Sequence, residues 1–276
     1  MSRVRHDLVT RIWRGRDPFL DLLPNQLEAG TCVTSQENSF FASAVEATLP
    51  GIVVDVGAGE GGSTIALARE LRDRRMNAVV VAVDTFLGDV TDWSNDEDFE
   101  RLEYEAGRSS LYPRFVSNIL RAGLGNFVLP LTLDATTAAA LFSRLGIKAD
   151  VVHLDAGNDA ASTRSYLEAW WPLLVPGGVL IGGPSGDADQ TAQRVYQSFF
   201  EALRVEPAYK DGRVRVLKPG CAAEGTVASQ PATSGPGAAE GPVREPQPDG
   251  EGSEEPRKVV SSFRLGGRPA GRPETR

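Results

Sequence analysis

The sequence predicts an open α/β fold, a doubly wound, mostly parallel sheet with a C-terminal antiparallel strand. Three observations predict it. Short runs rich in β-branched residues alternate along the chain with segments of helical periodicity, the rhythm of successive β–α–β units. Four of those runs close on an acid, at Asp55, Asp84, Asp134 and Asp155, and the carboxyl edge of a parallel sheet is where such folds meet ligands. A glycine cluster from Gly57 to Gly62 follows the first run at once and opens into a helix, so that strand, tight loop and helix share one stretch.

Residues 1–50 read as a peripheral helical segment. Leu8, Ile12 and Trp13 fall at helical spacing before Pro18 and Pro24 interrupt, and a second helix over 39–49 stops at Pro50-Gly51. The main domain spans 51–219. Its first strand includes Val53-Val54-Asp55-Val56, a helix follows over 64–72, and residues 78–83 form a wholly apolar second strand of the kind buried on both faces. The connection over 85–126 exceeds a minimal crossover and carries Trp93, the acidic run Asp96-Glu97-Asp98 and a helix beginning near Pro113. Trp93 reads either as a pocket wall or as a cap on the core. Consecutive carboxylates point in different directions on a helix, so the acidic run reads as a solvated face.

Residues 127–133 and 150–154 give the third and fourth strands. A helix over 161–174 is ended by Pro176-Gly177-Gly178, and a fifth strand follows at 179–181. An amphipathic helix over 191–203, a short strand at 204–206 and a turn at Asp211-Gly212 lead into a last strand at 214–217. From 220 to 276 the composition turns to Gly, Pro, Ala, Ser and Glu with nearly balanced charge and no sustained periodicity, which reads as a disordered tail.

The 276 residues are 41% hydrophobic, enough for an ordinary core, and the net charge of −8 argues against a general nucleic-acid binder. No apolar run approaches the length needed to cross a bilayer. Five arginines between Arg3 and Arg16 have no continuous apolar segment behind them, so the start does not read as a secretory signal. Cys32 and Cys221, alone and in unlike contexts, suggest no disulfide framework and a reducing compartment. A cytoplasmic protein with no membrane partner is expected, and an oligomer is compatible with this reading.

Gly57, Gly59 and Gly62 satisfy the dinucleotide pattern, with Asp84 standing about 20 residues on, where a ribose-binding acid is expected. Charge points elsewhere, because Asp55 precedes the loop and Glu60 lies inside it. Two acids suit the sulfonium and ammonium of S-adenosylmethionine better than they suit a pyrophosphate.

With these residues in place, the chain from about 38 to 219 resembles the class I S-adenosylmethionine-dependent methyltransferases. More narrowly, it is similar to the O-methyltransferase branch related to macrocin O-methyltransferase, which acts on sugars and other natural-product hydroxyls. The glycine-loop segment, Val83-Asp84-Thr85-Phe86-Leu87-Gly88-Asp89, Phe115-Val116-Ser117-Asn118, Asp150-Val151-Val152-His153-Leu154-Asp155 and Leu174-Val175-Pro176-Gly177-Gly178-Val179 carry the likeness. The resemblance implies a Rossmann-like seven-stranded sheet and a small-molecule acceptor. It places Gly57 and Gly59 against the methionyl part of the cofactor, Asp84 on the ribose hydroxyls and Asp134 near the adenine.

The resemblance also implies Asp-x-x-His after the fourth strand and two consecutive acids after the fifth; the acids hold a divalent metal and the histidine is the base. Here Asp155 keeps the first acid, Asn158 stands at the histidine position and Gly183-Pro184 at the paired acids. Asparagine does not accept a proton at neutral pH, and neither glycine nor proline has a ligating side chain. The expected site therefore has Asp155 and Asn158 beside the acceptor and no metal; Asp159, Asp187 and Asp189 are the nearest carboxylates. His153, inside the fourth strand, reads as a hydrogen-bonded core residue. Two functions remain: methylation of a small-molecule hydroxyl, and a catalytically weak or inactive relative that binds the cofactor and serves as a binding partner. An NAD-dependent oxidoreductase is a more distant third.

Overall fold

The computed structural model describes residues 2–20, 39–105, 107–155, 159–183, 190–210 and 212–220. Cys32, Asn158, Asp187, Asp189, Cys221 and the 221–276 tail lie outside the described residues. The seven strands are β1 (Ile52–Val56), β2 (Val79–Val83), β3 (Val128–Leu131), β4 (Ala149–Leu154), β5 (Leu174–Gly182), β6 (Ala208–Lys210) and β7 (Arg213–Leu217). They form one sheet in the order β3-β2-β1-β4-β5-β7-β6. The first five are parallel, and β7 runs antiparallel to both β5 and β6.

The described helices are α1 (Arg3–Trp13), α2 (Ser39–Thr48), α3 (Gly62–Asp73), α4 (Val90–Ser94), α5 (Asp96–Arg101), α6 (Leu111–Arg121), α7 (Ala135–Arg144), α8 (Ala160–Trp170) and α9 (Gln190–Ala202). Side chains alternate across each strand, so successive residues feed opposite cores. Val54, Val56, Val152, Leu154 and Leu180 join residues of α1, α7, α8 and α9 on one face. Val53, Val151, Val179 and Ile181 join residues of α2, α3 and α6 on the other. Strand β2, Val-Val-Val-Ala-Val, is buried throughout because both faces are covered. Among the described residues, no helix is long and apolar enough to cross a membrane.

Three sequence expectations change. Helix α1 is not peripheral, since Leu8 has no solvent exposure and packs with Val9 in the α7/α8/α9-side core. The Pro176-Gly177-Gly178 triplet does not separate helix from strand. Helix α8 ends at Trp170, a 3-10 turn covers Trp171–Leu173, and β5 already begins at Leu174. The register shifts beside Asp150, where a Cβ on Gly178 would lie 2.8 Å from the Asp150 carbonyl oxygen. Glycine is needed there for close backbone approach rather than for a helix stop. Finally, residues 204–206 are no strand: Arg204 adopts φ 57° and the Val205 amide donates to the Phe200 carbonyl, closing α9. The antiparallel partner of β7 forms instead at β6, four residues further on, with Lys210 opposite Arg213.

The long connection after β2 folds into two short helices. Asp89 caps α4 in a reciprocal box with Asp92, and Asn95 caps α5. Asp96, Glu97 and Asp98 occupy the first turn of α5, where the positive helix end favours them, and Asp98 pairs with Arg101. Trp93 is not part of the buried core. It is half exposed, donates Nε1–H to the Leu87 carbonyl at 2.9 Å and packs edge-on against Phe99 and Tyr104.

Leu8→Ala tests whether α1 belongs to the core. Deleting a fully buried leucine side chain should cost about 2–5 kcal/mol, read from the shift of a urea unfolding curve. A change below about 1 kcal/mol, the size usual at surface sites, would return α1 to the periphery.

Candidate active site

The strand order reverses between β1 and β4: the chain runs outward through β2 and β3 on one side and through β5 on the other. At such a switch point the loops leaving adjacent strands diverge and open a crevice. The glycine loop leaves β1 there. The Gly57 amide donates to the Val83 carbonyl at 2.9 Å, and the Asp155 amide donates to the Val56 carbonyl at 2.9 Å, so the crevice has β2 on one flank and β4 on the other. Gly57, Gly59 and Gly61 take φ of 84°, 50° and 99°. A Cβ built on Gly59 meets nothing within 4 Å, so this turn of backbone faces open space. Helix α3 starts directly behind it with no side chain capping its N-terminus.

Asp84 stands at the rim of this cradle. Its Oδ2 accepts from the Gly59 amide at 2.8 Å and its Oδ1 from the Phe86 amide at 2.7 Å. Burial pushes its carboxyl above the ordinary carboxylate range; the two amides pull it down, and the charges of Asp55 and Asp89 push it further up.

The two acids that charge reasoning turned toward a ligand face other partners. Asp55 has no solvent exposure. Its Oδ1 lies 2.7 Å from His153 Nδ1, and its Oδ2 accepts from the hydroxyls of Ser63, at 2.8 Å, and Thr64. Burial would raise its pKa, but His153 and the two hydroxyls outweigh that and hold the group below the usual value, hence ionised. The carboxylate thus anchors the first turn of α3 from behind the loop instead of presenting charge in front of it. Glu60 is met by Arg114, whose Nη1 donates to Oε1 at 2.8 Å, while Asn118 Nδ2 donates to the Glu60 carbonyl at 2.9 Å. Arg114, from α6, also reaches the Arg101 carbonyl and the Ser110 hydroxyl. The sequence reading missed Arg114, Ser63 and Thr64. Two hydroxyls just past a glycine cluster, eight and nine residues after the acid in β1, are the signal that could have found the latter pair.

On the β4 side, Asp155 is joined by a residue the sequence reading did not select. Arg213 Nη1 lies 3.4 Å from Asp155 Oδ1 and 3.3 Å from His153 Nε2, and the two side chains of the Asp155–Arg213 pair remain 18% and 15% exposed. Guanidinium donates and does not accept, so His153 meets it with the Nε2 lone pair and carries its proton on Nδ1, donating to Asp55. His153 is therefore the hydrogen-bonded core residue expected, packed edge-on against Phe41 of α2. Gly183 lies beside the same hairpin. Its φ is 133°, and a Cβ there would lie 2.8 Å from the Gly212 carbonyl oxygen and 3.0 Å from Arg213 Cα.

The remaining acids cap helices. Asp134 Oδ1 accepts from the Thr136 and Thr137 amides at 3.0 and 2.9 Å at the start of α7. The Thr136 and Thr137 contacts lower its carboxyl to about 2. Asp159 does the same for α8 through the Ala161 and Ser162 amides, so it does not turn back toward Asp155. Among the described residues, no group of three or more His, Cys, Asp or Glu converges as a metal-ion site. A cavity of about 380 Å³ lined by Arg5, Asp17, Phe19 and Asn126 opens at the amino end of β3, away from the glycine loop.

A family model described as a methyltransferase domain matches residues 54–183, from β1 through the end of β5. No curated protein matches the chain in sequence. Among solved structures, the chain is similar to an O-methyltransferase family protein from Burkholderia thailandensis, at 15% identity and TM-score 0.45, covering 67% of this chain and 54% of that one. It is also similar to the O-methyltransferase TomG from Streptomyces achromogenes in complex with SAM, at 17% identity and TM-score 0.47, covering 80% and 91%. An O-methyltransferase from Bacillus cereus in complex with SAH matches at 20% identity and TM-score 0.46, covering 78% and 97%.

The Asp134 cap gives a pH-dependent test. Asp134→Ala should cost about 0.5–2 kcal/mol at neutral pH. The folded-state carboxyl is held down, so the difference is full above the unfolded value of about 3.9 and is lost as pH falls through about 2. Urea unfolding of both proteins near neutrality and near pH ~2 checks this; an undiminished gap in acid contradicts the cap.

Proposed function

We propose that this chain is an S-adenosylmethionine-dependent methyltransferase acting on an oxygen of a small molecule. The observation that carries this reading is the placement of Asp84 beside the Gly59 amide, at the rim of an open glycine cradle on the switch point of the sheet. The methyltransferase-domain match over 54–183 supports it. The residues present fit the cofactor. Gly57 and Gly59 expose backbone to its methionyl part, Asp84 accepts from the ribose hydroxyls, and Asp134, at the carboxyl side of β3, lies toward the adenine. Asp55 and Glu60 contribute by fixing the loop, from positions already engaged by His153 and Arg114. When bound, the cofactor supplies a methyl carbon activated by its sulfonium. Asp155 and Asn158 are assigned to the acceptor side, and alignment of acceptor and methyl group supplies much of the rate.

One observation favours the second reading, a cofactor-binding relative of little activity: Gly183 has no room for a side chain where the resemblance puts an acid. Turnover with an accepted oxygen nucleophile separates the two, because both require the cofactor pocket.

S-adenosylhomocysteine should raise the melting temperature through preferential binding to the folded state. Asp84→Ala should weaken that binding about tenfold or more by removing a charged acceptor. NAD should leave the melting curve unchanged; a shift with NAD and none with S-adenosylhomocysteine would overturn the assignment.

A further inference from the structure

Building on the methyl-transfer reading, we propose that the Arg213 guanidinium is the built-in cation of the acceptor site and binds an acceptor oxygen that arrives already ionised, of the phenolate or enolate class.

Position is the first ground. Asp155 and Arg213 meet at the carboxyl ends of β4 and β5, Asp155 one residue beyond the strand that borders β1, and both keep partial exposure. Arg213 is fixed there. Its Cα is carried in by the β6–β7 hairpin, which lies so close to Gly183 that a side chain at 183 would collide with the hairpin backbone. The same approach that removes room for an acid delivers a guanidinium, paired with Asp155, whose donor fork has more N–H groups than one carboxylate oxygen uses.

Proton chemistry is the second ground. The His153 Nε2 lone pair is directed at Arg213, and the ring is fully buried. A guanidinium cannot take up a proton at neutral pH, and the Asp155 carboxylate is engaged with it. These described groups therefore suit an acceptor that has lost its proton to solvent before binding. The acceptor oxygen then forms the C–O bond with one of its lone pairs while the C–S bond breaks and its pair passes to sulfur. The sulfonium becomes a thioether, the oxyanion becomes an ether, and no proton moves. Arg213 offsets the negative charge in the bound acceptor and orients it through a directional donor fork. A divalent ion at Asp155 would instead be repelled by the guanidinium already beside it.

The full-length chain is titrated with 4-nitrophenolate, at a pH where that probe is ionised, and with neutral 4-nitroaniline, each with and without S-adenosylhomocysteine. We expect the phenolate to bind better than the neutral analogue, Arg213→Met to weaken phenolate binding about tenfold or more, and S-adenosylhomocysteine affinity to stay within about twofold. Arg213→Lys, which keeps the charge and loses the fork, should fall between, and guards against a Met variant that does not fold. Equal phenolate binding in wild type and Arg213→Met, no phenolate binding to wild type, or calorimetric binding of Mn²⁺ that disappears in Asp155→Ala would each overturn the proposal. Failure of S-adenosylhomocysteine to bind while phenolate still depends on Arg213 would sink the methyltransferase reading and leave Arg213 as an anion site.

Discussion

Asp55 is an ionised carboxylate with no exposure to solvent, and removing such a group from water costs several kcal/mol unless other donors replace the lost hydration. Here they come from three places at once: the Ser63 and Thr64 hydroxyls in the first turn of α3 and the His153 ring in β4. One side chain therefore ties β1 to the helix that follows the glycine loop and to the strand across the switch point. The loop is held from behind by these bonds, while its front at Gly59 stays open.

From His153 the same polar thread continues to Arg213 and Asp155, so the centre of the sheet and its antiparallel hairpin share one hydrogen-bonded line. The strand register explains the alignment. Asp55, His153, Ile181 and Arg215 are lateral neighbours in one row, and Arg213 lies two residues along from Arg215 on the same face. Asp55 and Asp155 on one face of a sheet would be costly separately. In a thread with His153 and Arg213 each meets a donor.

Much of this was legible in the chain. Apolar strands ending in acids at 55, 84, 134 and 155 located the sheet and its carboxyl edge, and the glycine cluster located the cradle, because those features rest on local periodicity and backbone freedom. The direction in which each acid points was not legible. Asp55 and Glu60 read as ligand-facing because their partners, His153 and Arg114, lie 98 and 54 residues away. Pro176-Gly177-Gly178 read as a stop because a close approach to Asp150 leaves no trace in local sequence. Arg213 did leave one: Arg-Val-Arg-Val in a strand next to the sheet interior puts two cations on one face, where Arg213 meets Asp155 and His153.

The burial of Leu8 has a consequence for how the chain is assembled. The core cluster it joins draws on strands and helices from β1 to β7, and Arg11 reaches the Leu145 carbonyl, 134 residues away. Helix α1 thus has few neighbours of its own to fold against, and short isolated helices are marginal in water. On a ribosome it must wait, apolar face uncovered, until α7 and the strands beneath it have been made. Docking of the N-terminal helix is thereby a late step in closing the core.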